Sequence, residues 1–360
     1  CVVLFLGLLL LALACGKEKP VVDVDPPEAA DSLRQRYAAP TEKWPQAEWY
    51  DAIVKRQELA LRQEGPTAEQ LGPKKIILGR LLFMDPSLSS NGRSCANICH
   101  KPNNYWIDQL PLVVPGITRN TPTMENAWYI KGHLFYDGRA KTYAQQIETA
   151  ISSPVEMNQD MNALPAKLAA LGTYQPFFAA AYGDEAITKD RITEAIAAYS
   201  QVIVSGDTRF DSFLKGNYSI LNDQEIHGLH LFRTKGKCIN CHQGPYFTDL
   251  QYHNLGYSSP SSWSTLDSGR YVATGDAADI GKFRTLGLRN VVHTYPYFHN
   301  GSLANMKELM KALNAGMPRG SGYVQLGELS PYIKPLNLSA EEIDAIIAFL
   351  HTLTSDLKLP

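Results

Sequence analysis

The sequence predicts a mainly α-helical protein made of two tandem units, each folded around a covalently attached group. Three observations predict it. Apolar residues recur at helical spacing over 44–63, 162–182, 189–204, 222–235, 302–315 and 339–353, and strand-like alternation is scarce. Two Cys/His clusters, Cys95-Ala-Asn-Ile-Cys99-His100 and Cys238-Ile-Asn-Cys241-His242, each follow a helical stretch. Each cluster is followed in turn by an irregular region and an aromatic-Gly segment, Phe135-Tyr136-Asp137-Gly138 in the first half and Tyr297-Phe298-His299-Asn300-Gly301 in the second. The repeat places the boundary near Ser205-Gly206. Asn222-Asp223-Gln224-Glu225 and Ser339-Ala340-Glu341-Glu342 read as helix N-terminal caps. The intervening segments, rich in Gly, Pro, Asn and Tyr, are too long to order themselves, and a buried apolar group would order them.

The N-terminal element is of another kind. Val2 to Ala14 is apolar and has the length of a signal-peptide core rather than of a mature membrane span. It ends in Leu11-Ala12-Leu13-Ala14-Cys15-Gly16, where small residues before Cys15 resemble a bacterial lipobox that would lipidate that cysteine. The alternative is an ordinary secretory signal cleaved nearby. Both readings place the protein outside the cytoplasm, in the periplasm or at the cell surface, with any membrane attachment through a lipid anchor alone. Residues 1–15 are then the signal peptide and 16–43, rich in Pro, Asp, Glu and Ala, a flexible tether. Residues 44–205 form the first unit and 206–360 the second, whose last helix could pack back on the first.

The 360 residues give room for two domains. Lys and Arg total 34 against 36 Asp and Glu, so no basic excess exists to neutralise phosphates, and nucleic acid is excluded as a partner class. Of the six cysteines, four lie in the two clusters, each pair followed directly by a histidine. Cys238-x-x-Cys241-His242 is the attachment pattern of a c-type haem: two thiols add across the vinyl groups and the adjacent histidine ligates the iron. A zinc knuckle would need two further ligands, and only His253 is near in sequence. Cys95 and Cys99 are separated by three residues, so the extra one must bulge; a disulfide or zinc reading stays open for this cluster. With haem in both, the fold class is two tandem cytochrome c-type domains.

Further motifs carry a resemblance. Leu78-Gly79-Arg80-Leu81-Leu82-Phe83-Met84-Asp85-Pro86-Ser87-Leu88-Ser89 precedes the first cluster, and Arg119-Asn120-Thr121-Pro122-Thr123 follows it. Phe135-Tyr136-Asp137-Gly138-Arg139-Ala140 and Ser153-Pro154-Val155-Glu156-Met157 come next. The second half has Gly281-Lys282-Phe283-Arg284-Thr285, Leu288-Arg289-Asn290-Val291 and Tyr295-Pro296-Tyr297-Phe298-His299-Asn300-Gly301. In this order they resemble the bacterial di-haem cytochrome c peroxidase/MauG family. The resemblance implies peroxide chemistry at the first haem, with His100 proximal and with Gln146 and Glu156 as distal glutamine and catalytic glutamate. It implies His242 as proximal ligand of an electron-handling second haem. It also implies a calcium ion held by Asn120 and the carbonyls of Thr294 and Pro296, hard oxygen donors suited to it. Outside the resemblance, Gln146 reads as a helix-surface residue, Glu156 as a solvated loop residue and Asn120 as a turn residue.

Three departures qualify it. No histidine occurs in 101–132, where many of these peroxidases keep a distal histidine, and Gly116 is near its place; the first iron is expected to be open. The usual distal Met or Tyr of the second haem falls at Leu313, leaving Met310 or Met317 as alternative ligands or as core packing. The tryptophan usual between the haems is Tyr136, an electron relay or an aromatic wedge. The leading expectation is reduction of hydrogen peroxide with electrons from a small cytochrome c or cupredoxin. The alternatives are MauG-like oxidation of a partner protein and a non-catalytic electron-transfer subunit, and the resemblance allows a homodimer.

Overall fold

The computed structural model describes residues 30–360 apart from 52, 54, 111–115, 258, 261–265, 318–322 and 325. The signal peptide and Cys15 lie outside the described residues. Among the described residues no helix is long and apolar enough to cross a membrane.

Helices dominate: α1 (Ala30–Tyr37), α2 (Ala68–Leu71), α3 (Pro73–Met84), α4 (Tyr143–Ser152), α5 (Leu164–Ala170), α6 (Gln175–Tyr182), α7 (Lys189–Gln201), α8 (Arg209–Leu214), α9 (Asp223–Arg233), α10 (Tyr271–Thr274), α11 (Met306–Asn314) and α12 (Ala340–His351). Capping boxes at Asn222/Glu225 and Ser339/Glu342 start α9 and α12 as their sequences suggest. Two short antiparallel pairs complete the structure: β1 (Tyr252–His253) with β3 (Phe283–Arg284), and β2 (Ser259–Pro260) with β4 (Tyr323–Val324).

Two apolar cores form. One runs from Leu78 to Ile203 and is built on α3, α4, α5, α6 and α7. The other joins Phe210–Leu353 to Leu33, Tyr37, Trp44, Ala47 and Leu59 from the start of the chain. Each core centres on one crossing of two helices at backbone contact. An ideal Cβ on Gly79 of α3 would come within 1.9 Å of the Ala195 carbonyl of α7, and one on Gly228 of α9 within 1.9 Å of the Ala345 carbonyl of α12. Only glycine allows this approach, and both cores use it.

The structure corrects several expectations. Residues 30–43 are not tether: α1 buries Leu33 and Tyr37 in the second core. Among the described residues, 44–63 form no helix, and several of their backbone donors are spent on the second unit. The Glu48 amide donates to the Arg233 carbonyl, and the Tyr50 amide to Asn240 Oδ1 at 2.7 Å. The first stretch of 44–205 therefore packs with the second core. The helix expected over 162–182 is interrupted after Ala170, where Gly172 is left-handed and Pro176 opens the next helix. The last helix, α12, packs on α9 rather than on the first unit, and among the described residues Leu357 in the tail beyond it packs on the first core.

Candidate functional site

The first Cys/His cluster opens a cavity of about 220 Å³ whose wall includes Cys95, Cys99 and His100. Its additional residue is absorbed by a wide turn: the His100 amide donates to the Cys95 carbonyl five residues back, at 2.8 Å. In the second cluster the His242 amide donates to the Cys238 carbonyl four residues back, at 2.9 Å. Ser94 and Asn97 cap the wide turn reciprocally. The two turns thus bring Cys, Cys and His onto one cavity wall in each unit despite unequal spacing.

Both histidines are oriented alike. His100 Nδ1 lies 3.0 Å from the Trp106 carbonyl, and His242 Nδ1 lies 2.9 Å from the Phe247 carbonyl. Trp106 and Phe247 both adopt left-handed backbone, at φ 61° and 56°, which costs about 1 kcal/mol for such residues. The chain accepts that cost and turns each carbonyl back onto a ring. Donation from Nδ1 leaves Nε2 as the ligating atom. Burial holds both imidazoles below their usual pKa, hence neutral and fit to bind metal.

The thiols suit haem better than zinc. Burial pushes Cys95, Cys99 and Cys238 up to about 12, so they are not thiolates. Around the second cluster the structure adds a ligand that sequence reading missed: Cys241, Asp249 and His253 offer atoms within 4.8 Å of one another. Cys238 is not in that group, and His253 Nε2 is engaged by Asp249 Oδ2 at 2.8 Å. The second cavity, about 340 Å³, has Cys238, Cys241 and His242 on its wall, far more room than an ion needs.

A second unforeseen residue is Arg284. It is buried, lines both cavities, and has no carboxylate partner among the described residues. Its contacts are carbonyls of Phe135 and Thr285 at 3.4 Å. An unpaired buried guanidinium is costly and calls for an anion, which the carboxylates of a haem would supply. The residues present therefore fit two haem groups.

The expected distal residues share the first cavity. Gln146 projects from α4, whose start is capped by Thr142 and Gln145 and whose Tyr143, Ile147 and Ile151 face the core. Glu156 sits in the following loop, held by its backbone: Asn91 Nδ2 donates to its carbonyl at 2.9 Å, and Arg93 Nη1 donates to the carbonyls of Val155 and Glu156. Glu156 is half-buried on the cavity wall, and burial raises its carboxyl above the usual range. It is close enough to disfavour ionisation of both Cys95 and Cys99. His100 is the one histidine among the described residues lining this cavity, and a side chain at Gly116 would abut Val155.

Tyr136 is buried between the cavities and lines both. Its ring meets His299, its counterpart in the repeat, edge-on at 6.4 Å. Arg119 fixes this junction, bonding Asp137 of the first unit at 2.6 Å and Asp267 of the second at 2.7 Å. Asn120, Thr294 and Pro296 also converge, on the wall of the second cavity. Asn120 Nδ2 donates to the Pro296 carbonyl at 2.7 Å, so a calcium ion would require the amide turned to present Oδ1. Met310 lines the second cavity beside Leu309 and Leu313. Met317 does not: α11 stops at Asn314, and Met317 is buried in a left-handed turn beyond it.

The family model described as di-haem cytochrome c peroxidase matches residues 73–219. The chain is 32% identical to a cytochrome c551 peroxidase of Nitrosomonas europaea, over 79% of this chain and 81% of that protein. It is also 32% identical to the methylamine utilization protein MauG of Methylophilus methylotrophus, over 80% of this chain and 84% of that one. A crystal structure of a MauG-like protein associated with microbial copper homeostasis superposes with a TM-score of 0.72 at 27% identity, covering 85% of this chain and 95% of that one. The chain belongs to the di-haem cytochrome c peroxidase/MauG family.

Proposed function

We propose that this chain reduces hydrogen peroxide to water in the cavity of Cys95, Cys99 and His100, with electrons arriving by way of the cavity of Cys238, Cys241 and His242. The observation that carries this reading is the grouping of Gln146 and a half-buried, proton-avid Glu156 with His100 on one cavity wall. A haem held by Cys95, Cys99 and His100 would supply the iron that passes two electrons to peroxide. Glu156, as carboxylate, takes the proton of the near peroxide oxygen and returns it to the far one, which leaves as water. The Gln146 amide orients peroxide by hydrogen bonding. Arg284 would hold haem carboxylates, and Tyr136 bridges the two cavities as wedge and relay. Calcium at Asn120, Thr294 and Pro296 would tie the units together, and Met310 is the side chain that would offer its sulfur to the iron of the second haem. Export and lipid attachment through Cys15 are part of the same reading.

Turnover with a reduced small cytochrome c tests it: stoichiometric oxidation of two cytochromes per peroxide is expected (H2O2 + 2e− + 2H+ → 2H2O). If the first haem reacts with peroxide while the donor is not consumed, the MauG-like reading replaces it. The observation that favours that second reading is a first cavity wall with His100 as its one histidine among the described residues. Electron paramagnetic resonance of the resting protein is expected to show one high-spin ferric haem from the first cavity. Met310→Ala should convert the second signal to high spin and leave the first unchanged. An unchanged second signal removes Met310 as ligand.

A further inference from the structure

Glu125 is a buried carboxyl to which the mechanism above gives no task. It lies in Thr123-Met124-Glu125-Asn126, on the wall of the second cavity. It is 7% exposed, and its Oε2 accepts from Asn290 Nδ2 at 2.7 Å. Its Oε1 is buried without a hydrogen-bond partner. Asn290 is itself fixed, taking the Ser355 amide on Oδ1 at 2.8 Å. Ser355 Oγ accepts the Gly206 amide at 3.0 Å, so the carboxyl is mounted on a rigid junction between the units.

No ion pair to Glu125 exists among the described residues. Burial pushes the Tyr105 phenol up, and the charges of Glu125 and Asp356 add to that push; His293 is stacked on Tyr105 at 4.3 Å. Of the arginines on the same cavity wall, Arg289 is taken by Asp211 at 2.7 Å, and Arg284 is the one assigned above to haem carboxylates. Tyr129, Tyr246, His253 and His299 complete the titratable lining besides the haem-cluster residues and Tyr50, Tyr136, Tyr257, Tyr297, Tyr332, Lys237 and Lys334. A lone carboxylate facing an apolar cavity is poorly solvated, and each negative charge added to the cavity favours its neutral form.

We propose that Glu125 is a proton-loading group: it takes up one proton from solvent when one electron from the donor enters the haem held by Cys238, Cys241 and His242, and releases it when the electron leaves. The new bond is O–H on the Glu125 carboxyl, and the added proton offsets the added electron, so no net charge accumulates in the cavity. Burial pushes the Glu125 carboxyl up to about 7, which puts the exchange in the neutral range. The peroxide reaction consumes protons with electrons, and this group would supply the charge balance at the point of entry. The inference rests on the haem assignment of the proposed function, and on nothing in its peroxide step.

The test is a spectropotentiometric titration of the second haem in the intact protein between pH 5.5 and 8.5. One linked proton makes the midpoint fall with rising pH, by up to about 59 mV for each tenfold change in proton activity. Glu125→Gln, which keeps the shape and the Asn290 contact, is expected to flatten that slope. An undiminished slope in Glu125→Gln assigns the linked proton to a haem carboxylate or another group and overturns the proposal. If the variant does not fold, redox-difference infrared spectra of the unaltered protein decide. A carboxylic-acid C=O band should appear on reduction at pH 7.5, and its absence overturns the proposal. The readout needs no turnover: a failed peroxidase assay with the slope intact defeats the proposed function only.

Discussion

Glu156→Gln is expected to lower peroxide turnover by about 10²–10⁴-fold while leaving both haem spectra in place, the range typical of losing a positioned general base. The spectra should persist because Cys95, Cys99 and His100 are held by a wide turn and the Trp106 carbonyl, to which Glu156 makes no contribution. Glutamine keeps the backbone anchors from Asn91 and Arg93, since those reach carbonyls of the loop and not the side chain. The loss is therefore one of proton transfer and not of loop position. The acid limb of the pH profile checks the same point. Turnover requires the carboxylate, and burial raises the carboxyl above its ordinary value of 4.5, so activity should fall off at a higher pH than an exposed glutamate would impose. The stability linkage has the opposite sense. Between the two values the folded chain binds a proton that the unfolded chain does not, so stability declines as pH rises through the raised value. Glu156→Gln removes both dependences. Full turnover in this variant would take Glu156 out of the chemistry.

The candidate site was legible in the sequence wherever a residue's type and spacing carry the chemistry. Cys95-Cys99-His100 and Cys238-Cys241-His242 show their grouping directly, and Gln146 and Glu156 came from motif resemblance; both stand on the first cavity wall. Arg284 and Glu125 were missed for a shared reason. Their importance lies in what does not surround them, a carboxylate for one and a cation for the other, and a string of residues carries no record of absent neighbours. Arg284 did stand within a quoted motif, and a charged residue between Phe283 and Thr285 was the available signal. Residues 44–63 misled because apolar residues at helical spacing also occur in an extended strap that buries one residue in several. Trp44, Ala47 and Leu59 are buried against another unit, and long-range hydrogen bonds decided the conformation. Met317 lies one turn beyond Leu313 only if the helix continues, and the chain leaves the helix after Asn314, at Gly316 and Met317.

Gly79→Ala and Gly228→Ala are expected to be strongly destabilising, each confined to its own unit. Glycine to alanine inside an ordinary helix is favourable by roughly 1 kcal/mol, so propensity alone predicts stabilisation at both positions. Packing reverses the sign. At each glycine the added Cβ would stand 1.9 Å from a carbonyl oxygen of the crossing helix, Ala195 in one case and Ala345 in the other. The obstacle is backbone, which cannot rotate aside as a side chain can. Beside it stand the Cβ atoms of Tyr199, 3.0 Å from the new methyl, and of Phe349, at 2.9 Å. Relief requires α3 to move from α7, or α9 from α12, and so to loosen the fully buried Phe83 or Phe232 at that crossing. Overpacking of this kind costs about 3 kcal/mol, the upper end for inserted methylenes. For units of this size that corresponds to a fall in Tm of roughly 6–12 °C by calorimetry. Because the cores are separate, Gly79→Ala should lower the transition of the first unit and Gly228→Ala that of the second. Each haem's absorbance would report its own unit. A loss below about 1 kcal/mol in either variant would mean that the crossing can open cheaply, and that the contact is not what sets the helix spacing.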